Sequence, residues 1–259
     1  MCYYFAMSKV NDYDNYAAER QKDILSGEMK PHSLVEKPAM SKLLPSLKGK
    51  TVLMLGCGTG DESALLINQG AEKLVGIDIS ETSIALAKKS YPDCDFQVGD
   101  INKLEFNDGS FDFVYSSLAI NYTSNPLGVY EEVFRALKPG GQFLFSVPHP
   151  VRWSSEEVII EGEPIKILGF AKEKDSSRVY GDYSKYEKYE HGFQDRGKEV
   201  LSFWVGPPSM HFRLLRESGF EITDFVETKA IEKAKKIDFA YYNKFSKLPQ
   251  FTIFFAVKH

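Results

Sequence analysis

The sequence predicts an α/β fold in which a mostly parallel sheet carries helices on both faces. Two observations predict it. Short apolar runs alternate with helical segments, and the first of these runs ends abruptly in a glycine loop. Strands that are covered on both faces are continuously apolar, and parallel neighbours need helical crossovers between them. The chain has 259 residues, 43% of them hydrophobic, and we expect residues 1–259 to form one domain.

Each predicted element follows from a local signal. The apolar runs give strands at residues 51–55, 74–77, 95–98, 111–115 and 142–147. Helices are predicted at residues 38–47, 62–69, 81–90, 126–137 and 209–218, and Gly219 ends the last of them. Two more strands, 221–227 and 251–257, follow, and the second is expected to be an antiparallel partner of the first.

Two segments fall outside this alternation. Residues 1–34, polar and aromatic in their middle part, are expected to form a helical arm. Residues 148–208 are rich in Tyr, Lys, Glu and Gly and have no clear periodicity. A long irregular stretch in a compact domain is more often functional than idle, so we interpret residues 148–208 as a substrate lid. An exposed helix explains the tyrosines between Tyr180 and Tyr189 equally well.

Composition excludes several classes of function. The net charge is −4 and the chain has no extended Lys/Arg block, so no nucleic-acid partner is expected. The basic run at 233–236 is interpreted as a solvated helix face. Three widely spaced cysteines indicate neither a disulfide framework nor a zinc site, and they favour a reducing, cytoplasmic compartment without a structural metal. We expect no signal peptide and no membrane association.

The glycine loop indicates a nucleotide-like ligand. Gly56, Gly58 and Gly60 follow the first strand with the spacing G-x-G-x-G, and a helix follows them. Glycines let the backbone turn sharply and let a ligand approach, and the helix directs free N–H groups toward it. A dinucleotide fingerprint requires glycine where this chain has Asp61. A carboxylate there competes with phosphate for the N–H groups, so it favours a cationic ligand.

Two further carboxylates follow neighbouring strands. Asp78 ends the second strand, where it could accept hydrogen bonds from ribose hydroxyls, and Asp100 follows the third, where it could accept from an adenine amine. Because the carboxyl ends of parallel strands share one edge of a sheet, both acids and the glycine loop are expected to line one crevice.

These motifs resemble the class I S-adenosylmethionine-dependent methyltransferases. The matching pieces are V-L-M-L-G-C-G-T-G, G-I-D-I-S, G-D-I, F-D-F-V-Y-S-S-L-A and L-K-P-G-G-Q-F-L-F-S, which lie within residues 35–150 in that family's order. The branch that they are most similar to is methyltransferase type 11, which includes ubiquinone- and menaquinone-biosynthesis enzymes. The resemblance implies a Rossmann-like, doubly wound, seven-stranded sheet whose last strand is antiparallel, with S-adenosylmethionine as the cofactor.

The resemblance also implies roles for particular residues. The loop would pass under the methionine part of the cofactor, Asp78 would bind the ribose with Ile79 against the adenine, and Asp100 with the backbone of Ile101 would hold the adenine edge. The end of the fourth strand would approach the methionyl group. The cofactor-binding set is Gly56, Cys57, Gly58, Thr59, Gly60, Asp61, Asp78, Ile79, Asp100, Ile101, Ser116, Ser117 and Leu118. Cys57 is interpreted as a small residue within the loop rather than a nucleophile.

The methyl acceptor is expected to be a small molecule. A sulfonium is already an activated leaving group, so the protein mainly positions the acceptor, and a general base is needed only for acceptors that lose a proton. Candidate bases or orienting groups are His149, Asn121, Tyr122 and His191. For His149 a rigid turn that orients the lid is an equally good interpretation, and for Tyr122 packing is.

One departure from the branch concerns the acceptor. Relatives often carry a basic His-His-Arg-like cluster before the helix that precedes the sixth strand, where this chain has Trp204-Val205-Gly206. This substitution indicates a more apolar or aromatic acceptor. Two other functions stay open: a non-catalytic S-adenosylmethionine-binding protein, and an NAD-dependent oxidoreductase, which Asp61 and Asp100 disfavour. The sequence does not distinguish a monomer from a homodimer.

Overall fold

The computed structural model describes residues 29–172, 176–192 and 200–259, together with residues 17, 21–24 and 26–27. The helical arm expected over residues 1–34 lies largely outside these ranges. Its described end is a π-helical turn, His32–Glu36, that continues directly into a helix at Lys37–Leu43. The helix ends earlier than predicted because Leu44 is extended, as expected for a residue before proline.

Thirteen strands are found among the described residues, and seven of them form the central sheet. The strands are β1 (Thr51–Leu55), β2 (Lys73–Asp78), β3 (Asp95–Val98), β4 (Phe111–Ser117), β5 (Leu137–Pro148), β6 (Glu156–Ile160), β7 (Glu163–Ile167), β8 (Gly169–Lys172), β9 (Ser177–Tyr180), β10 (Glu187–Gly192), β11 (Val200–Val205), β12 (Glu221–Glu227) and β13 (Phe251–Val257). The order in the central sheet is β12-β13-β5-β4-β1-β2-β3. Strands β1 to β5 pair in parallel, and β13 is antiparallel to both β5 and β12. The predicted fold class is confirmed.

Helices cover the sheet, and four of the described α-helices begin with a side chain that accepts a backbone hydrogen bond. The α-helices are α1 (Lys37–Leu43), α2 (Ser63–Asn68), α3 (Glu81–Ser90), α4 (Pro126–Ala136), α5 (Pro150–Trp153), α6 (Pro208–Glu217), α7 (Glu232–Ile237) and α8 (Phe239–Phe245). Ser80 Oγ accepts from Ser83 N–H at the start of α3 (3.0 Å), which satisfies one of the free donors there. The predicted basic helix face lies on α7, where Lys233, Lys235 and Lys236 are exposed.

Alternating residues of the strands pack on opposite faces of the sheet. In β1, Leu53 and Leu55 join one apolar cluster, whereas Val52 and Met54 join the cluster on the other face. All four are at most 2% exposed, so β1 is buried on both faces. A central strand of this kind fixes the loop at its carboxyl end in a defined position.

Strand β5 begins earlier than predicted. Residues 138–141, which lie between the predicted helix and the predicted strand, include Gly140, whose N–H donates to the carbonyl of Lys258 (2.7 Å), and Gly141, whose carbonyl accepts from Lys258 N–H (2.9 Å). The pairing partner lies more than a hundred residues away along the sequence, so local signals do not indicate it.

The segment after β5 forms three hairpins, β6–β7, β8–β9 and β10–β11, each a separate two-stranded sheet. The alternative of an exposed helix for its tyrosines is wrong, because Tyr180 lies in β9 and Tyr189 in β10. Glu161 and Gly162 join β6 to β7 with φ of 53° and 85°. Two successive positive φ angles are the mark of a type I′ turn, which matches the twist of a hairpin.

None of the described helices is both long enough and apolar enough to cross a membrane.

Candidate functional site

The glycine loop turns at the carboxyl end of β1. Gly56, Gly58 and Gly60 have φ of 59°, 52° and 80°, a region that favours glycine. A Cβ on Gly56 would lie 2.3 Å from Ala119 Cβ, so no larger residue fits. Cys57 N–H donates to the carbonyl of Ile77 (2.9 Å), which anchors the loop to the neighbouring strand. The loop is therefore held by the sheet itself.

Asp78 connects two predicted parts of the site. Its Oδ2 accepts from Gly58 N–H (2.8 Å) and its Oδ1 from Ser80 N–H (3.0 Å), so one carboxyl group joins the glycine loop to the start of α3. Asp78 and the adjacent Ile79 are both partly exposed.

Asp100 lies beside them at the end of the third strand. Its Oδ1 accepts from the backbone N–H and the side-chain amide of Asn102, at 2.8 and 2.7 Å. The neighbouring Ile101 packs partly against the apolar cluster under the sheet. Because β2 and β3 are paired in parallel, Asp78 and Asp100 lie at the same edge.

Asp61 and Thr59 form one unit. The Thr59 hydroxyl, almost fully buried, donates to the Asp61 carboxyl group at 2.9 Å. Asp61 lines the cavity beside the loop. Thr59 therefore orients this acid rather than facing the cavity itself.

Cys57 is not set up as a nucleophile. Burial, and then the nearby charge of Asp78, raise the pKa of its thiol well above the ordinary value. The thiol stays protonated at neutral pH, and only the thiolate is strongly nucleophilic.

The end of β4 is tied to its neighbours through serines. Ser116 Oγ donates to the carbonyl of Leu55 (3.4 Å), and Ser146 Oγ accepts from Leu118 N–H (3.0 Å). Leu118 has a φ of 51°, which is unfavourable for a leucine and persists only where the surroundings fix it. Ser117 points to the other side, where it lines the cavity.

A cavity beside the glycine loop encloses about 320 Å³ of empty space, part of it open to solvent. It is lined by His32, Met54, Leu55, Gly56, Cys57, Asp61, Glu62, Tyr115 and Ser117. Four of these residues, Gly56, Cys57, Asp61 and Ser117, belong to the predicted cofactor set. His32, Glu62 and Tyr115 were not predicted, and only the position of Glu62 next to Asp61 could have indicated one of them.

His32 and Glu36 hold a buried network together. His32 Nδ1 lies 3.1 Å from Glu36 Oε2, and Glu36 Oε1 accepts from the hydroxyls of Ser117 (2.9 Å) and Ser146 (2.7 Å). His32 Nε2 lies 2.8 Å from Glu62 Oε1. Burial alone would lower the pKa of His32, but the two carboxyl groups outweigh it and raise the pKa to about 9. His32 is therefore a cation at neutral pH.

The candidate acceptor residues occupy different surroundings. His149 Nδ1 accepts from Val151 N–H (3.2 Å) as the cap of α5, and His149 Nε2 lies 2.9 Å from Glu227 Oε1. Burial, which outweighs Glu227, lowers the pKa of His149. With both ring nitrogens engaged, His149 orients the chain that leads into the hairpins.

Asn121 and Tyr122 lie together in a short 3₁₀ turn after β4. Asn121 is buried and Tyr122 is 38% exposed. Within the described ranges the side-chain oxygen of Asn121 has no hydrogen-bond partner. Of His191 the structure describes the backbone in β10 but not the side chain. Trp204 stacks on Tyr186, with ring centroids 5.2 Å apart. An aromatic pair therefore lies where the family pattern predicts a basic cluster.

The seven-stranded sheet has the fold of solved S-adenosylmethionine-dependent methyltransferases. Residues 53–145 match the family described as a methyltransferase domain. Over these residues the chain is therefore similar to a methyltransferase domain.

Individual proteins support this assignment. The chain is 35% identical over 156 residues to an uncharacterized protein from Haemophilus influenzae, covering 57% of this chain and 61% of that protein. It is 32% identical over 164 residues to a demethylmenaquinone methyltransferase from Lactococcus lactis, covering 58% and 65%. Both alignments span less than two thirds of the relative. An S-adenosylmethionine-dependent methyltransferase from Mesorhizobium loti superposes with a TM-score of 0.69 at 25% identity, covering 86% and 97%.

The residues at the cleft fit S-adenosylmethionine, the cofactor that this family implies. Gly56 has no room for a side chain of its own, because a Cβ there would lie 2.3 Å from Ala119 Cβ. The ionisable side chain that lines the cavity from the loop itself is Asp61, an acid, which suits a cationic sulfonium better than a phosphate. No group of three or more His, Cys, Asp or Glu side chains in the described ranges is arranged to hold a metal ion.

Proposed function

We propose that this protein transfers a methyl group from S-adenosylmethionine to a small-molecule acceptor. The observation that carries the proposal is the carboxyl edge of the sheet, where Asp78 accepts a hydrogen bond from the glycine loop and Asp100 follows the neighbouring strand. That arrangement offers carboxylate acceptors to a ribose and an adenine amine and keeps the loop free of bulky side chains. It suits an adenosine that carries no phosphate.

Each part of the cleft then has a role. Asp78, which its bonds to Gly58 and Ser80 hold beside the glycine loop, would accept hydrogen bonds from the ribose hydroxyls. Asp100 and the backbone of Ile101 would hold the adenine edge, with Ile79 against the ring. The strained backbone at Leu118 and the neighbouring Ser117 would border the methionyl group.

The bound cofactor supplies a methyl group on a sulfonium, which needs no further activation. What this chain must do is bind the acceptor in line and exclude water. Asn121, whose buried side-chain oxygen lacks a partner within the described ranges, is suited to accept a hydrogen bond from an acceptor's O–H or N–H. His149 could take a proton only by giving up the cap of α5 or its contact with Glu227.

The acceptor is proposed to be small and at least partly aromatic or apolar. The three hairpins of residues 148–208 follow the strand that ends at the cleft, and we assign them the role of a lid. The stacked pair of Tyr186 and Trp204 would provide an aromatic wall. The name of the Lactococcus lactis relative, a demethylmenaquinone methyltransferase, supports an acceptor of this kind. The free thiols of Cys57 and Cys94 agree with a cytoplasmic protein.

Calorimetric titration tests the cofactor directly. The ligands are S-adenosylmethionine, S-adenosylhomocysteine and NAD. The proteins are the wild type, Asp78→Ala and the control Asp95→Ala, whose residue begins β3 at the end of that strand away from the cleft. We expect both adenosyl ligands to bind the wild type and the control, and Asp78→Ala to bind them at least about tenfold more weakly, because two charge-assisted bonds are lost. Binding of NAD without any response to S-adenosylhomocysteine would refute the proposal.

A methyl-transfer screen separates an enzyme from a binding protein. Donor carrying a labelled methyl group is incubated with small hydroxylated, amino and quinol-type aromatics, and label transferred to the acceptor is counted. Transfer to none of them by a protein that binds the donor tightly would favour the non-catalytic alternative.

A further inference from the structure

A glutamate lies beside a histidine at each end of strand β12. Glu227 ends the strand with its Oε1 2.9 Å from His149 Nε2, whereas Glu221 begins the strand and contacts His259. Because β13 is antiparallel to both β12 and β5, strands β12 and β5 run in the same direction. Glu227 therefore lies at the carboxyl edge of the sheet, where ligands bind in open α/β folds, and Glu221 lies at the opposite edge.

His149 holds the Glu227 carboxyl group as a neutral donor. Val151 N–H donates to His149 Nδ1 (3.2 Å), so that nitrogen carries no proton. Burial lowers the pKa of His149, so at neutral pH the ring is uncharged and its single proton is on Nε2. Nε2–H therefore donates to Glu227 Oε1. Since the His149 side chain is almost fully buried, the carboxyl group is held from its inner side.

The negative charge of Glu227 has no cationic partner in the part of the chain that the structure describes. Its side chain is 49% exposed, and its ion-pair partner there is His149, which is neutral. Arg152 follows His149 closely, but its guanidinium lies over the ring of Trp153, 4.8 Å from the centroid. A carboxylate fixed by an uncharged donor keeps its charge and can accept further hydrogen bonds.

The segment between β9 and β10 brings an aromatic ring to the same place. Its backbone is fixed where Asp182 N–H donates to the carbonyl of Ser154 (3.1 Å). The next residue, Tyr183, has its ring centroid 6.1 Å from that of His149. Burial, and then the charge of Glu227, raise the pKa of Tyr183, so the two side chains are near neighbours. A carboxylate and an aromatic ring therefore stand together under the hairpins.

This group lies away from the predicted adenosine contacts. In the sheet order β12-β13-β5-β4-β1-β2-β3, the glycine loop, Asp78 and Asp100 follow β1, β2 and β3, whereas His149 and Glu227 belong to β5 and β12. The acceptor has the β5 and β12 half of the edge available. An anion beside an aromatic ring complements an ammonium group, which can donate to the carboxylate and lie against the ring.

We propose that Glu227, positioned by His149, binds a protonated amine of the methyl acceptor, with Tyr183 beside it. The amine anchors the acceptor, whichever of its atoms receives the methyl group. The inference rests on the proposed function and narrows the acceptor to an aromatic or apolar molecule that carries an amine. Glu227 then determines specificity, and His149 is a positioning residue that acts through it.

Pairs of acceptors that differ only in the amine test the proposal. Tyramine, dopamine and tryptamine are matched with 4-ethylphenol, 4-ethylcatechol and 3-ethylindole. Transfer of a labelled methyl group from S-adenosylmethionine gives kcat and KM for the wild type, Glu227→Gln, His149→Gln and the control Glu221→Gln. We expect the wild type to use at least one amine with a kcat/KM about tenfold or more above that of its neutral partner, the usual worth of a charged hydrogen bond.

The variants should change the KM for the amine alone. Glu227→Gln should raise it about tenfold or more and leave the KM for the neutral partner and for the donor within about twofold. His149→Gln should raise the same KM by a smaller factor, with kcat for the neutral partner unchanged, because the carboxylate remains but is no longer fixed. Glu221→Gln, at the other end of the strand, should equal the wild type.

The outcomes separate the inference from the function on which it rests. Equal use of both members of every pair, transfer to none of the amines, or an unchanged KM in Glu227→Gln would overturn the inference. So would an equal rise in Glu221→Gln, which would indicate a general effect of charge. Calorimetry with S-adenosylhomocysteine then shows whether the donor site still stands, and without donor binding the proposed function fails as well. Thermal unfolding is followed for every variant, and should His149→Gln not fold, the half-exposed Glu227→Gln decides.

Discussion

Two buried histidines in this protein have opposite charge states. His32 and His211 are 6% and 3% exposed, so burial does not distinguish them. His32 lies between the carboxyl groups of Glu36 and Glu62, and its pKa is raised to about 9. His211 lies on α6 among aromatic rings with the Tyr130 hydroxyl 2.6 Å from its Nδ1, and burial lowers its pKa to about 4.

The difference shows that partners, not depth, decide the charge of a buried imidazole. Removal from water always disfavours the cation, and the aromatic surroundings of His211 offer nothing to compensate. The two carboxyl groups near His32 stabilise its cation by more than burial destabilises it. At neutral pH the cation stands at the cavity, where a ligand can use it, and the neutral ring stands in the core, where the Tyr130 hydroxyl can donate to it.

Of the variants considered, Glu36→Ala should lower the free energy of unfolding most, because it removes support from the charged form of His32. It removes the acceptor of two buried hydroxyls and one of the two anions that stabilise the His32 cation. We expect a loss of about 3–5 kcal/mol in the free energy of unfolding at pH 7, the usual cost of breaking a buried pair. Urea denaturation followed by far-UV circular dichroism measures it, with the exposed Glu105→Ala as the control. A loss below about 1 kcal/mol would show that Glu36 does not support His32.

The pH dependence of stability should have opposite signs for the two histidines. For His32 the folded pKa lies above the ordinary 6.5, so its stabilisation is complete below pH 6.5 and is lost as the pH rises through 9. The change is on the order of 3 kcal/mol, at roughly 1.4 kcal/mol for each tenfold change in proton affinity. In His32→Gln the fall in unfolding free energy between these pH values should be correspondingly smaller than in the wild type.

His211→Gln is the matched variant on the acid side. The folded pKa of His211 lies below 6.5, so its contribution is present above pH 6.5 and is lost as the pH falls through 4. Glutamine can accept from the Tyr130 hydroxyl but does not become charged, so the variant should lose less stability than the wild type between pH 6.5 and 4. Parallel pH profiles for the wild type and both variants would contradict the assigned charge states.

Tyr130→Phe should have the smallest effect. It removes the hydroxyl beside His211 Nδ1 and leaves a buried nitrogen without that partner. The expected cost is about 1–2 kcal/mol in unfolding free energy, measured by urea denaturation at pH 7. The double variant with His211→Leu should cost less than the sum of the two single changes, because both polar partners are then gone. Strict additivity would show that the two side chains do not interact.

Local sequence signals predicted the central sheet, whereas the cofactor-binding roles of its edge stay a prediction. The apolar runs around Leu53, Val75 and Val114 are continuous because both faces of those strands are covered, and that pattern is visible without a structure. The glycine loop follows β1, Asp78 ends β2 and Asp100 comes two residues after β3, so their common edge follows from the parallel order of these strands. The antiparallel last strand was also predicted.

The contacts of His32 and Glu36 beside the cavity, and the hairpins after β5, could not be predicted in this way. His32 meets Glu62 across 30 residues of sequence, and Glu36 meets Ser146 across 110, so neither contact leaves a periodic signal. Tyr115 lies within a strand, where its hydroxyl gives no sign of facing a cavity. The strands of the first two hairpins, β6 to β9, are short and mostly exposed, so they lack the apolar runs that indicate buried strands.

The two hydrogen bonds that the Asp78 carboxyl group accepts from backbone N–H groups affect how quickly one ligand can replace another in the cleft. Because Gly58 and Ser80 are already fixed by this carboxyl group, the loop loses its conformational entropy when the protein folds and not when a ligand arrives. Under the proposed function, the used cofactor and the new one bind to the same preformed loop, so their exchange does not require this loop to refold.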